Sequence, residues 1–339
     1  MKIVFMGTPD FAVEAMESLI HAGHLVVAAV TQPDKAKGRG KAVLMTPVKE
    51  KAIEYNIPVY QPKRVKTDEE FFDRLVAIAP DVIVVAAFGQ ILPKRILDLP
   101  LYGCVNIHAS LLPKYRGSAP IQWAVINGDK ETGVTTMMMD VGLDTGDMLE
   151  TSVVSLAPDE TGGSLFDKLS HEGGKLILST LDQLERGTAI RTKQPEEGAS
   201  YAGMLSKSLG NIDWSMEAAT IERLVRGLNP WPSAYTHFQG KTMKIWSAEV
   251  RSEELMTGLK GDASILPGQI TEIGKDFFTV QTGCGSLLVK ELQLEGKKRM
   301  DAGAFLRGFP LQVGTRLTNM VLKDTDLKDM DLVEKRGDF

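Results

Sequence analysis

The chain has only two cysteines in 339 residues, Cys104 and Cys284. So few, so far apart, they exclude a disulfide framework and fit the reduced thiols of a cytosolic protein. No apolar run approaches the roughly 20 residues that span a bilayer. The start, MKIVFMG, enters a strand directly and lacks the pattern of a secretory or organellar leader. A soluble, cytoplasmic protein with no membrane partner is expected. Net charge is −5, so nucleic acid could be held only by local basic patches. The five histidines (His21, His24, His108, His171, His237) are scattered, none at zinc-like spacing from a Cys or another His, so no metal is expected. Gly7-Thr8-Pro9 is not a GxGxxG turn, and no GxxxxGK[ST] run occurs, which argues against NAD and ATP. No serine or cysteine stands out as a nucleophile: Ser110 follows His108 too closely, and Cys104 lies inside an expected strand.

What is present is an α/β pattern on a chain long enough for two cores. Lys2 to Met6 reads as a buried strand, Gly7 to Asp10 turns into a helix reaching about Ala22, and Leu25 to Val30 is a second strand. Such strand-helix-strand units favour a parallel sheet. Further strands are expected at 59–61, 81–87, 103–108, 133–139 and 147–156, and helices from Pro47, at 118–127 and at 163–184. Another helix, reaching about Ala79, is expected to be capped by Thr67 with Asp68, Glu69 and Glu70 in its first turn. Residues 187–207 lack periodicity and read as a linker. A helix near 216–228 ends at Asn229-Pro230-Trp231-Pro232, and five short β-type runs follow between Gly-containing turns, which suits a small barrel. The expectation is an α/β protein. A Rossmann-like, mostly parallel sheet domain (1–187) leads through a linker (188–207) to an OB-like β-barrel domain (208–313), followed by a charged, poorly ordered tail (314–339). Trp231 and Trp246 read as core or domain-interface residues, and Met137 to Met139 as a buried strand.

The stretch from Val105 to Asp147 carries the chemistry. Asn106 and His108 stand two apart at the end of an apolar run, and Asp144 lies in a Gly-rich loop after the next strand. Strand alternation puts Asn106 and His108 on one side. An imidazole moves protons near pH 7, a carboxylate orients it, and an amide donates to an oxygen gaining charge. That set suits attack on a carbonyl. Spacing alone leaves open a capping His and a turn Asp with no catalytic role.

Around this set, SLLPKYRG preceded by Asn-x-His and followed by GVTTMMMDVGLDTGDM resembles the folate-dependent formyltransferase family. GTPDFA, TQPDKAKGRGK, AFGQILP, SAPIQWAVINGD and NPWPSA extend the likeness in order over nearly the whole chain to about Val313. These motifs are similar to those of the branch that acts on initiator tRNA. The resemblance implies transfer of a formyl group from 10-formyltetrahydrofolate, as co-substrate, to the amino group of methionyl initiator tRNA in translation initiation. It implies that Asn106, His108 and Asp144 are catalytic and that Ser110, Leu111, Leu112 and Pro113 contact the folate. It further implies that the loop of Phe88, Gly89, Gln90, Ile91 and Leu92 lines the pterin pocket through its backbone amides. By the same resemblance the turn Pro113 to Gly117 lies over the folate, with Arg116 near the tRNA end; separately, a monomer is expected.

The basic loop from Asp34 to Lys41 has two readings. A solvated charged loop is the ordinary one, whereas the resemblance makes Lys35, Lys37, Arg39 and Lys41 tRNA contacts. In the β region, Lys241, Lys244, Lys297, Lys298 and Arg299 are candidate phosphate contacts. Two alternatives remain: a formyltransferase for a small amine, such as an amino sugar nucleotide or glycinamide ribonucleotide, and a non-catalytic RNA-binding protein.

Overall fold

The computed structural model describes residues 1–37, 42–251 and 265–319. They form two units. The first comprises Met1–Ala124, Asp129–Ala157 and Ser164–Met204; the second comprises Val125–Gly128, Pro158–Gly163 and the described chain from Leu205.

Unit 1 is built on apolar runs too continuous for a half-exposed sheet. β1 (Lys2–Gly7), α1 (Asp10–His21) and β2 (Leu25–Val30) come first. A hairpin of β3 (Lys35–Lys37) and β4 (Ala42–Leu44) follows, where the sequence suggested only a loop. α2 (Pro47–Glu54), β5 (Val59–Tyr60), α3 (Glu69–Ile78), β6 (Val82–Ala86), α4 (Lys94–Leu97) and β7 (Cys104–His108) continue the alternation. Then come β8 (Arg116–Gly117), α5 (Pro120–Asn127), β9 (Glu131–Met138), β10 (Met148–Ser155), α6 (Gly162–Arg186) and β11 (Tyr201–Ala202). Every residue of β6 and β7 is buried, as in parallel strands covered on both faces. The cap of α3 is Asp68, not Thr67: its carboxylate accepts from Phe71 N at 2.9 Å, so the helix begins one residue later than expected.

The sheet order is β10-β9-β7-β6-β1-β2-β5. β7, β6, β1, β2 and β5 run parallel, while β9 is antiparallel to both its neighbours. The chain builds outward from β1 through β2 to β5, then crosses to β6 on the other side of β1. That reversal opens a crevice beyond the carboxyl ends of β1 and β6, the place where open α/β sheets bind ligands. Thr8 Oγ1 donates to Phe88 O across it at 3.1 Å.

The segment expected as a linker runs along unit 1 instead. β11 pairs parallel with β8, and Arg116 N and Ser118 N donate to Ser200 O and Ala202 O at 2.8 and 3.0 Å. Backbone pairing needs no side-chain periodicity, so the pattern of the sequence could not mark it.

Unit 2 contains α7 (Ala218–Gly227), β12 (Ala234–Phe238), β13 (Lys241–Arg251), β14 (Ile270–Ile273), β15 (Phe278–Gln281), β16 (Ser286–Leu294), β17 (Met300–Asp301) and α8 (Ala302–Gly308). The antiparallel order is β12-β13-β16-β15-β14, with β17 beside β16. Inward residues such as Met243, Ile245, Phe278, Val289 and Leu292 fill its interior with Phe305 of α8. The start of the expected tail belongs to this unit. Thr318 exchanges backbone bonds with His237 of β12, and Leu317 N and Ile270 N pair with Gly268 O and Thr315 O. Residues 315–318 thus bridge the two sheet edges and close the barrel, removing edges that would otherwise invite association. Trp231, expected in a core or interface, is 56% exposed. Of the three methionines, Met137 is buried and Met138 and Met139 are half-buried.

Candidate active site

β7 delivers two polar side chains from one strand end. Asn106 pairs in register with Val85 of β6 and Met137 of β9, and His108 with Thr135. Both are buried, at 8% and 5% exposure. Among the described residues, the Asn106 side-chain amide has no hydrogen-bond partner. The amide atoms are not themselves sealed from solvent, so the group stands available to a ligand without a desolvation penalty in the free protein.

His108 is oriented by the chain that follows it. Its Nε2 lies 2.9 Å from the carbonyl oxygen of Tyr115. A carbonyl can only accept, so Nε2 carries the proton and Nδ1 keeps a lone pair for chemistry. Nδ1 lies 3.7 Å from Asp144 Oδ2. That is an ion-pair distance once the ring is protonated.

Asp144 comes from the loop between β9 and β10. Its φ of 54° is a left-handed conformation uncommon outside glycine, and so must be held by its surroundings. The carboxylate accepts from Gly117 N at 2.8 Å. Within the loop, Thr145 Oγ1 donates to Asp140 Oδ1 at 2.8 Å and Gly142 N to the same oxygen at 2.9 Å. Gly146 passes so close to the strand that a Cβ there would sit 1.8 Å from Met138 O.

The turn between β7 and β8 is fixed from below. Thr135 Oγ1 donates to Ser110 O at 2.7 Å and accepts from Leu112 N at 3.2 Å. Ser110 is fully buried, and its hydroxyl donates to Lys114 O at 2.6 Å. Its hydroxyl is therefore committed to the turn. Leu111 and Pro113 are half-buried, and Leu112 is buried. Arg116, expected near the tRNA end, is only 2% exposed; its Nε donates to Gln194 Oε1 at 2.9 Å.

In the loop after β6, Phe88 and Leu92 belong to the core, while Ile91 is exposed. The Gln90 side chain is committed to the backbone of Val65 and Pro62, at 2.9 and 3.1 Å. Among the described residues, the backbone N–H groups of Gly89, Gln90 and Ile91 have no protein acceptor. They are free donors beside the crevice at the ends of β1 and β6.

Lys35 is exposed and Lys37 ends β3; Arg39 and Lys41 lie outside the described residues. The hairpin is anchored at Asp34. An ion pair with the Lys49 ammonium, and a 2.7 Å bond from Gln61 Nε2, hold its carboxyl below the ordinary range. In the second unit, Lys241, Lys297 and Lys298 are exposed, whereas Arg299 is tied to Glu291 and lies 4.8 Å from the Trp246 ring centroid.

Four residues of this assembly escaped the sequence reading: Thr135, Tyr115 as the carbonyl that orients His108, Gln194 and Ser200. Ser200 Oγ accepts from Tyr115 N at 2.9 Å across 85 positions, and Gln194 reaches Asp144 across 50. No local spacing signals such pairs.

Comparison with known proteins gives the family. Residues 1–181 match the family model described as formyl transferase, and residues 204–310 the one described as formyl transferase, C-terminal domain. The methionyl-tRNA formyltransferase of Agathobacter rectalis is 57% identical over 318 residues, spanning 94% of this chain and 100% of its own. That of Geobacter sulfurreducens is 50% identical over 317 residues, spanning 94% and 96%. Among solved structures, the sugar 3N-formyl transferase WlaRD, determined in the presence of dTDP and 5-N-formyl-THF, shares the fold at a TM-score of 0.60. It is 18% identical, with 88% of this chain and 99% of that one covered. HypX from Aquifex aeolicus does so at 0.62 and 17% identity, over 93% of this chain and 48% of that one. With both domain models matched in order, and relatives at half identity or more along nearly its whole length, this chain belongs to the formyl transferase family.

Proposed function

We propose that the protein transfers the formyl group of 10-formyltetrahydrofolate to the free amino group of methionyl initiator tRNA, acting as a cytoplasmic monomer. The observation that carries this reading is the unpartnered, solvent-reaching amide of Asn106 beside the His108–Asp144 pair, in a chain whose relatives are named methionyl-tRNA formyltransferases. None of the described helices is long and apolar enough to cross a membrane.

The residues divide the work. Asn106 donates to the formyl oxygen as it gains negative charge, and protonated His108 adds a positive charge at Nδ1. Asp144 stabilises the imidazolium and helps take the proton from the attacking amine. The amine nitrogen bonds to the formyl carbon, the bond from that carbon to folate N10 breaks, and the proton lost by the amine ends on N10. The reaction is thereby balanced with no external acid. The free N–H groups of Gly89 to Ile91, on the Phe88 to Leu92 loop, suit the polar edge of the pterin. The turn Ser110-Leu111-Leu112-Pro113 holds the folate through its backbone and its apolar side chains. Lys35, Lys37, Arg39 and Lys41 contact tRNA phosphates, which carry affinity but no sequence information.

The test is formylation of methionyl-tRNA by the purified protein with 10-formyltetrahydrofolate, comparing initiator and elongator species. Formyl-methionyl-tRNA, formed preferentially on the initiator, is expected. Formylation of an amino sugar nucleotide without formylation of methionyl-tRNA would overturn the substrate assignment.

A further inference from the structure

We propose that Gln194 is a positioning residue, clamping the Asp144 loop so that the carboxylate faces His108; the catalytic part of this inference rests on the functional reading above. Gln194 lies between the two family-model matches, which end at 181 and resume at 204. It is half-buried in the segment that β11 ties to β8.

One amide spans the turn. Gln194 Nε2 donates to the backbone oxygens of Asp144 and Gly146, each at 2.8 Å. Its Oε1 accepts from Arg116 Nε at 2.9 Å. Arg116 is buried, and the residue after it, Gly117, donates its N–H to the Asp144 carboxylate. The residue before it, Tyr115, orients His108 through its carbonyl. A closed ring therefore runs from Arg116 through Gln194 to the Asp144 backbone, along the Asp144 side chain to Gly117, and back to Arg116. The same three-residue strip, Tyr115 to Gly117, fixes both members of the His108–Asp144 pair.

The chemistry demands glutamine. The position needs two N–H donors for two carbonyls and one acceptor for a guanidinium, on a single side chain. Glutamate keeps the length and the acceptor but turns an oxygen toward two carbonyl oxygens. The strained φ of Asp144 supplies the force against which the clamp acts. When it is released, the loop leaves the left-handed conformation and the carboxylate moves from the imidazole.

Two measurements test this on Gln194→Ala and Gln194→Glu. The first is steady-state formyl transfer with both substrates varied. Misplacing a catalytic group by about 1 Å costs on the order of 100-fold, so kcat is expected to fall by roughly 10- to 100-fold with each KM within about twofold of the parent. The second needs no substrate. Val141 and Leu143 are exposed on the loop, and thermolysin cleaves ahead of such residues. Faster nicking at these two bonds is expected in both variants, with the thermal midpoint little changed. A variant that melts below the assay temperature is replaced by Gln194→Met, which keeps the length and removes the donors.

An unchanged kcat, a rise in KM alone, or a lowered kcat with unchanged nicking overturns the proposal. If the parent protein formylates no methionyl-tRNA, the functional reading fails, and the nicking comparison alone decides whether Gln194 holds the loop.

Discussion

The two halves of the site are held in different ways. Asn106 and His108 stand on a strand buried along its whole length and paired on both sides, so their backbone positions follow from the sheet. Asp144 stands on a loop, in a left-handed conformation, and its position follows from side-chain and backbone bonds to Gly117 and Gln194. The strand half is preorganised by the core around it. The loop half depends on a few long-range bonds, each of which one substitution removes. Supporting hydrogen bonds of this sort decide whether a site is merely present or correctly placed.

The strongest way to break the strand half is at His108. His108→Ala removes the proposed proton carrier and should leave the fold intact, since among the described residues the ring's hydrogen bond is to the Tyr115 carbonyl. A fall in turnover of at least about 100-fold is expected, with folate binding retained. Steady-state formylation together with folate titration checks it. The loop half breaks next at Gly117→Ala. That residue has φ 110°, and an added Cβ would meet Ala202 O at 2.8 Å. Strain of about 1–3 kcal/mol is expected, seen as a lower thermal midpoint, along with a loss of turnover as the donor to Asp144 shifts. The smallest effect sharpens the contrast. Burial, with the Asp98 charge nearby, pushes the Cys104 thiol at the start of β7 up to about 12, so it stays in its unreactive protonated form at pH 8. Cys104 should resist alkylation in the native protein, and Gln194→Ala should leave that resistance unchanged while loosening the loop. A thiol-labelling time course followed by peptide mapping reads this, with exposed Cys284 as the reactive control.

This contrast also explains what the sequence revealed. The β7 end was legible because an apolar run stopping at Asn-x-His is a local pattern, and alternation settles which side chains share a face. The alternation of strands and helices announced a parallel sheet for the same reason. The clamp was not legible. Gln194 and Ser200 sit in a stretch without periodicity, and their partners lie 50 and 85 positions away. The second unit repeats the lesson. Its β-rich character showed in short runs between glycines, while its closing segment, 315–318, acts through backbone bonds and reads in sequence as the start of a charged tail. Arg116 taught the opposite: a basic residue in an exposed-looking turn is buried, because a partner far along the chain accepts its hydrogen bond.

The central claim is that the unpartnered Asn106 amide serves the reacting carbonyl. Single-turnover formyl transfer to methionyl initiator tRNA, with parent and Asn106→Ala compared at saturating 10-formyltetrahydrofolate, tests it most directly. Removing one oxyanion donor costs about 3 kcal/mol, so the rate constant should fall by roughly 100-fold or more while the folate Kd stays close to that of the parent. A rate constant near that of the parent, or a loss of folate binding large enough to account for the fall, would contradict it.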